Sequence, residues 1–299
     1  MQYTKGPLSY AAQLQQLQQR GLHVADPARA IYYLERVGYY RLMGYLFPFR
    51  LPGSDNYKPG ASFEQAVELY EFDQVLRSLV MEAICHIEVA VRTAVTYQMA
   101  HSYGAFGYSN PINVAYDPGW HASWIRTVQD DVGRSRETFI AHYKANYTQP
   151  AHPQVPIWMA SEVMSFGSLS KLVQAMHPAD KKAIAGIFGI AAPVFASWVH
   201  TIAALRNIAA HHGRMWNRVL GVVPMRPKSG AWQHMAGSYP VDRMYFALLV
   251  IKALLASCAT DADDWRDSVT NHIGLLLVDQ GHRQSMGAPA NWDQHPLWI

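Results

Sequence analysis

Charged residues are scarce in this 299-residue chain, at 16% of the total, and they nearly balance: 25 Lys and Arg against 22 Asp and Glu, a net charge of +3. So mild a basic bias permits an anionic partner without demanding one. The 14 histidines would add positive charge below neutral pH. Cysteine is rarer still. Cys85 and Cys258 are too few and too far apart for a disulfide framework or a CxxC zinc pair, and both are expected to pack as small hydrophobes in apolar helices, in keeping with a reducing cytoplasm. Long apolar runs are missing as well. The most membrane-like stretch, "MYFALLVIKALLASCA", is short and carries Lys252, so a buried helix is expected and no membrane partner. The opening "MQYTKGPLSYAAQLQQLQQRG" has no apolar core of signal-peptide length, which argues against secretion. HExxH and glycine-rich phosphate loops are absent and "HPADKK" lacks metal-ligand spacing, so neither a metal nor a cofactor is expected.

Alternating period-two runs are also lacking, whereas apolar spacings of three and four recur almost throughout, which predicts an all-α protein. A first helix is expected from Leu8 to Arg20, stopped by Gly21, and Asp26-Pro27 should cap and start a second. "LPGSDNYKPGAS" is the best candidate for a linker. From Ser62, with Gln65 at the capping-box position, helical periodicity runs to about Tyr103, with a break or bend expected near Asp73. Shorter helices follow, and Pro193 suits the first turn of one carrying "VFASWVHTIAALRNIAAHH". Gly221 to Pro240 reads as a loop. Two last helices, near 241–258 and 263–277, precede an irregular tail whose tryptophans should fold back on the body. The organisation expected is a helical segment over 1–60, a main helical domain over 61–280 and a tail over 281–299.

One stretch concentrates chemistry: "RNIAAHHGRMWNR", from Arg206 to Arg218. An Arg-x4-His spacing is weak evidence, because 17 arginines and 14 histidines give about 0.8 such pairs by chance. The surroundings distinguish Arg206: Asn207 beside it, small Ala209 and Ala210 before His211 and His212, then Gly213, Arg214 and Arg218. On a continued helix at ~100° per residue, Asn207, His211, Arg214 and Arg218 would share one side, while Arg206 and His211 would stand about 140° apart. Those two can reach one phosphate if the helix frays near Gly213 or if a second copy contributes.

Such a set suits metal-independent RNA cleavage, in which a ribose 2′-hydroxyl attacks its own phosphate and needs a base, an acid for the leaving 5′ oxygen, and donors for the phosphoryl oxygens. His211 supplies an imidazole, the side-chain type suited to moving protons in this reaction, and Arg206 a charged, planar fork. Asn207 suits orienting or capping, and His212 is either a second proton carrier or a neighbour. The competing reading is that cations gather at a helix C-terminus because they suit that end of the dipole.

With "YAAQLQQLQQRGL", "YYRLMGYLFPFR", "IEVAVRT", "YGAFGY", "PIWMASEVMSFGSLSKL", "LRNIAAHHGRMWNR" and "MGAPANW" in this order, the chain resembles the Abi-like family of bacterial abortive-infection proteins. The Arg206 stretch resembles the Arg-x4-His signature of HEPN domains; in the tail "MGAPANW", Ala288 departs from the bulkier apolar residue more usual in the Abi-like family. The resemblance implies an all-α, HEPN-like helical bundle with an N-terminal helical extension, working as an endoribonuclease in phage defence or a toxin-antitoxin system. RNA would be its substrate, a homodimer would bring two signature helices together, and a regulatory noncoding RNA or a protein antitoxin would be further partners. Arg206, Asn207 and His211 match the signature positions. Glu88 and Arg92, four apart on one helix face, either orient these residues or form a structural ion pair. Arg214 and Arg218 would support RNA binding. In "GYYRLMGYLFPFR", Tyr40, Arg41 and Arg50 offer ingredients for stacking bases beside a phosphate, although core packing accounts for such aromatics equally well. The rival functions are a non-catalytic RNA-binding or scaffold module and a purely protein-binding helical regulator.

Overall fold

A computed structural model describes residues 2, 6–150, 154–228, 230–234 and 237–299. Thirteen α-helices and no β-strand occur among them. The chain divides into two compact units, 1–76 and 77–299.

In the first unit, α1 (Tyr10–Gln19) is capped by Ser9, whose hydroxyl accepts from the Ala12 N–H, and it buries Leu14 and Leu17. It stops at Gly21, at φ 86°, a backbone conformation that glycine adopts without steric cost. α2 (Pro27–Arg36) starts as expected, with Pro27 in its first turn and the Asp26 carboxylate accepting from Arg29 N at 3.0 Å. α3 (Tyr39–Leu46) buries Leu42, Met43, Tyr45 and Leu46. The stretch expected to be a linker is tied into this unit. Asp55 accepts from Arg50 and pairs with Arg20, each at 3.1 Å, and the Tyr57 ring is buried.

α4 (Phe63–Tyr103) opens with a reciprocal capping box: Gln65 N donates to Ser62 Oγ at 3.2 Å, and Ser62 N donates to Gln65 Oε1 at 3.0 Å. The helix then runs unbroken for 41 residues, so the expected break near Asp73 does not occur. The reason is a distant partner. The buried Asp73 carboxylate accepts from the Tyr45 hydroxyl at 2.7 Å, so it does not compete with the helical backbone.

The second unit comprises the rest of α4 and nine more helices: α5 (Pro118–Arg134), α6 (Thr138–Asn146), α7 (Ile157–Val163), α8 (Phe166–Ala175), α9 (Pro178–Ile187), α10 (Ala192–Ala210), α11 (Met244–Leu255), α12 (Ala262–Leu277) and α13 (Gln280–Met286). α10 packs against α8 and α9 and buries Phe195, Trp198, Val199, Ile202 and Leu205. α11 is buried along almost its whole length. Its Lys252 is accommodated because Nζ donates to Ala262 O at 3.1 Å and to Asp263 Oδ1 at 2.6 Å. No single helix among the described residues is long and apolar enough to cross a membrane.

Two expectations need correction here. Cys85 is exposed on α4, while Cys258 is half-buried and its thiol is pushed up to about 11 by burial. The tail is not wholly irregular, since α13 occupies its start, capped by Asp279 and ended by Gly287 at φ 74°. The tail does return to the body. Tyr245 donates to Trp292 O at 2.7 Å, and Trp298 is buried.

Candidate functional site

α10 buries a run of small and apolar residues, carries Ser197, His200 and Thr201 in its middle, and places Arg206 and Asn207 near its end. It ends in two adjacent hydrogen bonds, His212 N to Ala209 O at 2.9 Å and Gly213 N to Ile208 O at 2.7 Å. This pairing is the Schellman arrangement, which requires a left-handed residue just past the cap, most often glycine. Here that residue is His212, at φ 54°. A non-glycine residue in this region costs of order 1–2 kcal/mol. Gly213 leaves a side chain little space, because a Cβ would meet Ile208 Cγ2 at 3.0 Å and Ile208 O at 3.1 Å.

His211 is the C-cap itself, at φ −92° and ψ 17°. Its side chain and those of Asn207 and His212 are exposed. The helix therefore relaxes before Gly213, and the expected four-residue helical stripe is corrected. Arg214 and Arg218 follow the helix end and lie in a loop, where Arg218 Nε donates to Arg214 O. Asn207 and His211 remain on α10's last turn. Their backbones are joined by the His211 N to Asn207 O bond at 3.0 Å.

Arg206 points to another wall. Its Nε lies 3.8 Å from Glu88 Oε2 of α4, is itself buried and has no hydrogen-bond partner, while its side chain as a whole is 40% exposed. Glu88 is held from its other oxygen by Arg92 Nη2 at 2.7 Å, and Arg92 Nη1 donates to Met164 O at 3.1 Å, just past α7. Glu88 and Arg92 form an i,i+4 ion pair, and Glu88 of that pair faces Arg206. Within unit two the structure brings together Arg206, Glu88 and Arg92, with Asn207, His211 and His212 at the same helix end.

The remaining candidates belong to the first unit. Tyr40 is 85% exposed and Arg41 is exposed, so neither serves the core. Arg50 is engaged with Asp55, and its guanidinium lies 6.0 Å from the Tyr57 ring. Among the described residues, no group of three or more His, Cys, Asp or Glu is placed to hold a metal ion.

Sequence reasoning passed over His200. It stands eleven positions before His211 on α10, a spacing close to three helical turns, and this register was the available signal. Its Nδ1 is buried without a hydrogen-bond partner.

Residues 32–217, well over half of the chain and including Glu88, Arg92 and the whole end of α10, match the sequence model of the Abi-like proteins. The chain belongs to the Abi-like family. No curated protein and no solved structure matches this Abi-like chain. The matched stretch begins within α2 and ends one residue beyond Trp216, so the helix-end cluster of the Abi-like protein falls inside it.

Proposed function

We propose that this Abi-like protein is a metal-independent endoribonuclease of the HEPN type, acting in abortive infection or a toxin-antitoxin system. The observation that carries the proposal is the end of α10. An exposed imidazole, His211, caps the helix, and the chain leaves through a left-handed His212 where glycine would be cheaper, a placement that suits function better than stability.

In the reaction, the ribose 2′-oxygen bonds to the adjacent phosphorus and the bond from phosphorus to the 5′ oxygen breaks, leaving a 2′,3′-cyclic phosphate and a 5′-hydroxyl. One imidazole takes the 2′ proton and a second returns a proton to the departing 5′ oxygen. His211 fills one role, and the other falls to His212 or to His211 of a second copy. The Arg206 guanidinium neutralises the charge that grows on the non-bridging oxygens, and Asn207 orients the phosphate. Glu88 and Arg92 position Arg206. The protein acts as a homodimer in the cytoplasm, with RNA as substrate and a noncoding RNA or a protein antitoxin as restraint.

The test is incubation of the purified protein with labelled RNA in EDTA. Cleavage that ends in a cyclic phosphate and is lost in both Arg206→Ala and His211→Ala supports the proposal. Unchanged cleavage in both variants defeats the assignment. Retention of RNA on a gel with no products favours the second reading, a non-catalytic RNA-binding module, for which the same exposed helix end would grip the backbone.

A further inference from the structure

One side of α10 stays open along most of its length, with Arg206, Ile208 and Ala210 part-exposed to either side near its end. Its flanks are buried at Val199, Thr201, Ile202, Ala203, Leu205 and Ala209, whereas His200, Ala204, Asn207 and His211 stay open to solvent in whole or part. Steps of four, three and four residues keep these positions in line. At ~100° per residue His200 and His211 differ by only about 20° in direction, and at ~1.5 Å per residue they lie about 16 Å apart along the axis. Ala204 between them contributes a single methyl group, so the middle of the stripe is shallow.

At the far end from His211, a second helix adds a cation. Lys171 of α8 is exposed and lies close enough to His200 to disfavour protonation of the ring, adding to the effect of burial. α8 and α10 are packed neighbours, and neither contains an Asp or Glu. The loop at Met225 closes off this end by donating its N–H to Ser197 Oγ at 2.9 Å. That loop, from Val222 to Arg226, also has no acidic residue. The stripe carries an imidazole at each end, with Lys171 beside His200 and no carboxylate on α8, α10 or this loop, while Glu88 of α4, which faces Arg206, is itself paired with Arg92; such a line is complementary to a polyanion whose charges repeat along its length.

We infer that this stripe is a track for the single-stranded RNA flanking the cleaved bond, with Lys171 and His200 gripping a phosphate several nucleotides away from the one held at Arg206 and His211. The inference rests on the ribonuclease reading for its direction but not for its binding. Lys171 acts as a point charge on the backbone and His200 as a hydrogen-bonding group, so the track reads RNA length rather than base sequence.

The experiment compares a dinucleotide with a single-stranded dodecanucleotide RNA, using wild type, Lys171→Glu, His200→Ala and the charge-conserving Lys171→Arg. For wild type, kcat/KM for the dodecanucleotide should exceed that for the dinucleotide by about tenfold or more. Lys171→Glu and His200→Ala should erase most of that ratio, and Lys171→Arg should restore it. Filter retention of the dodecanucleotide should weaken about tenfold in Lys171→Glu, and its dependence on log salt should flatten by about one phosphate contact. An unchanged length ratio, or an unchanged salt slope in Lys171→Glu, overturns the track. If no RNA is cleaved but retention still responds to Lys171, the track stands and the catalytic reading falls. If an acidic peptide is retained at Lys171 and RNA is not, the track falls.

Discussion

Glu88 Oε2 of α4 and Arg206 Nε of α10 face each other at 3.8 Å, while the other Glu88 oxygen is held by Arg92 at 2.7 Å. One carboxylate therefore serves two guanidiniums, and the nearer one is the more deeply buried, since Arg92 is 8% exposed. Removing the carboxylate should leave Arg92 without its countercharge. Glu88→Ala is expected to lower stability by about 2 kcal/mol and to reduce RNA cleavage with it. Glu88→Gln keeps a hydrogen-bond acceptor for Arg92 and should lose less stability while still releasing Arg206. Urea midpoints measured beside cleavage rates separate the two effects. Equal losses of stability in both variants would show that the charge itself, and not the retained acceptor, holds Arg92.

His212 at φ 54° gives a second test. His212→Gly should relieve the strained backbone and stabilise the protein by about 0.5–1 kcal/mol. Cleavage should fall if the imidazole carries protons, and remain if His212 is only a neighbour. A thermal melt and a rate on the same preparation read both, and a destabilised glycine variant would show that the ring's contacts outweigh the strain.

Burial within the tail makes stability depend on pH. The fully buried His295 ring accepts at Nδ1 from Leu297 N at 3.2 Å and meets the Tyr239 hydroxyl through Nε2 at the same distance. Burial, with His234 and Arg226 nearby, brings its pKa down to about 4. In the unfolded chain a histidine titrates near ~6.5, so between these values the unfolded state binds a proton that the folded state refuses. The contribution of His295 is present above about pH 6.5, is lost as pH falls toward 4, and amounts to about 2–3 kcal/mol. Urea midpoints across this range should fall with pH in the wild type, and less steeply in His295→Gln.

The two thiols should also part company. Cys85 is exposed, whereas the Cys258 thiol is held up to about 11 by burial and contacts Leu254 O. At neutral pH an alkylating reagent should modify Cys85 alone in the folded protein and Cys258 only after denaturation, as read by mass spectrometry of the peptides. Equal labelling in the native state would contradict the packing around α11.

Much of this architecture could be read in advance wherever its cause was local. Gly21, Asp26-Pro27 and the Ser62–Gln65 pair each act within four residues, and each starts or stops a helix where expected. The misreadings have distant causes. Asp73 reads as a breaker until Tyr45, 28 positions away, is found beneath it. Cys85 sits among apolar neighbours in sequence but on the solvent side of α4, and a list of neighbours does not reveal the face. Arg214 and Arg218 were expected on a helical stripe because nothing in the letters of His212 announces a left-handed residue. α13 is short and polar, and its Asp279 cap and Gly287 stop are legible only when a helix so brief is sought. At the site itself, the spacing of Arg206 and His211 was plain, whereas the approach of Glu88 to Arg206 joins residues 118 positions apart.

The rings of Trp198, Trp232 and Phe246, the first pair tilted and the second edge-on, tie α10 to α11 with centroids 4.9 and 5.7 Å apart, and Trp265 of α12 donates to Leu79 O of α4 at 2.7 Å. Trp232, Phe246 and Trp265 all lie beyond residue 217, where the match to the family model ends. The matched stretch is thus not a portable cassette: excised at its own borders, it would keep the residues at the end of α10 and lose the rings that α10 packs against.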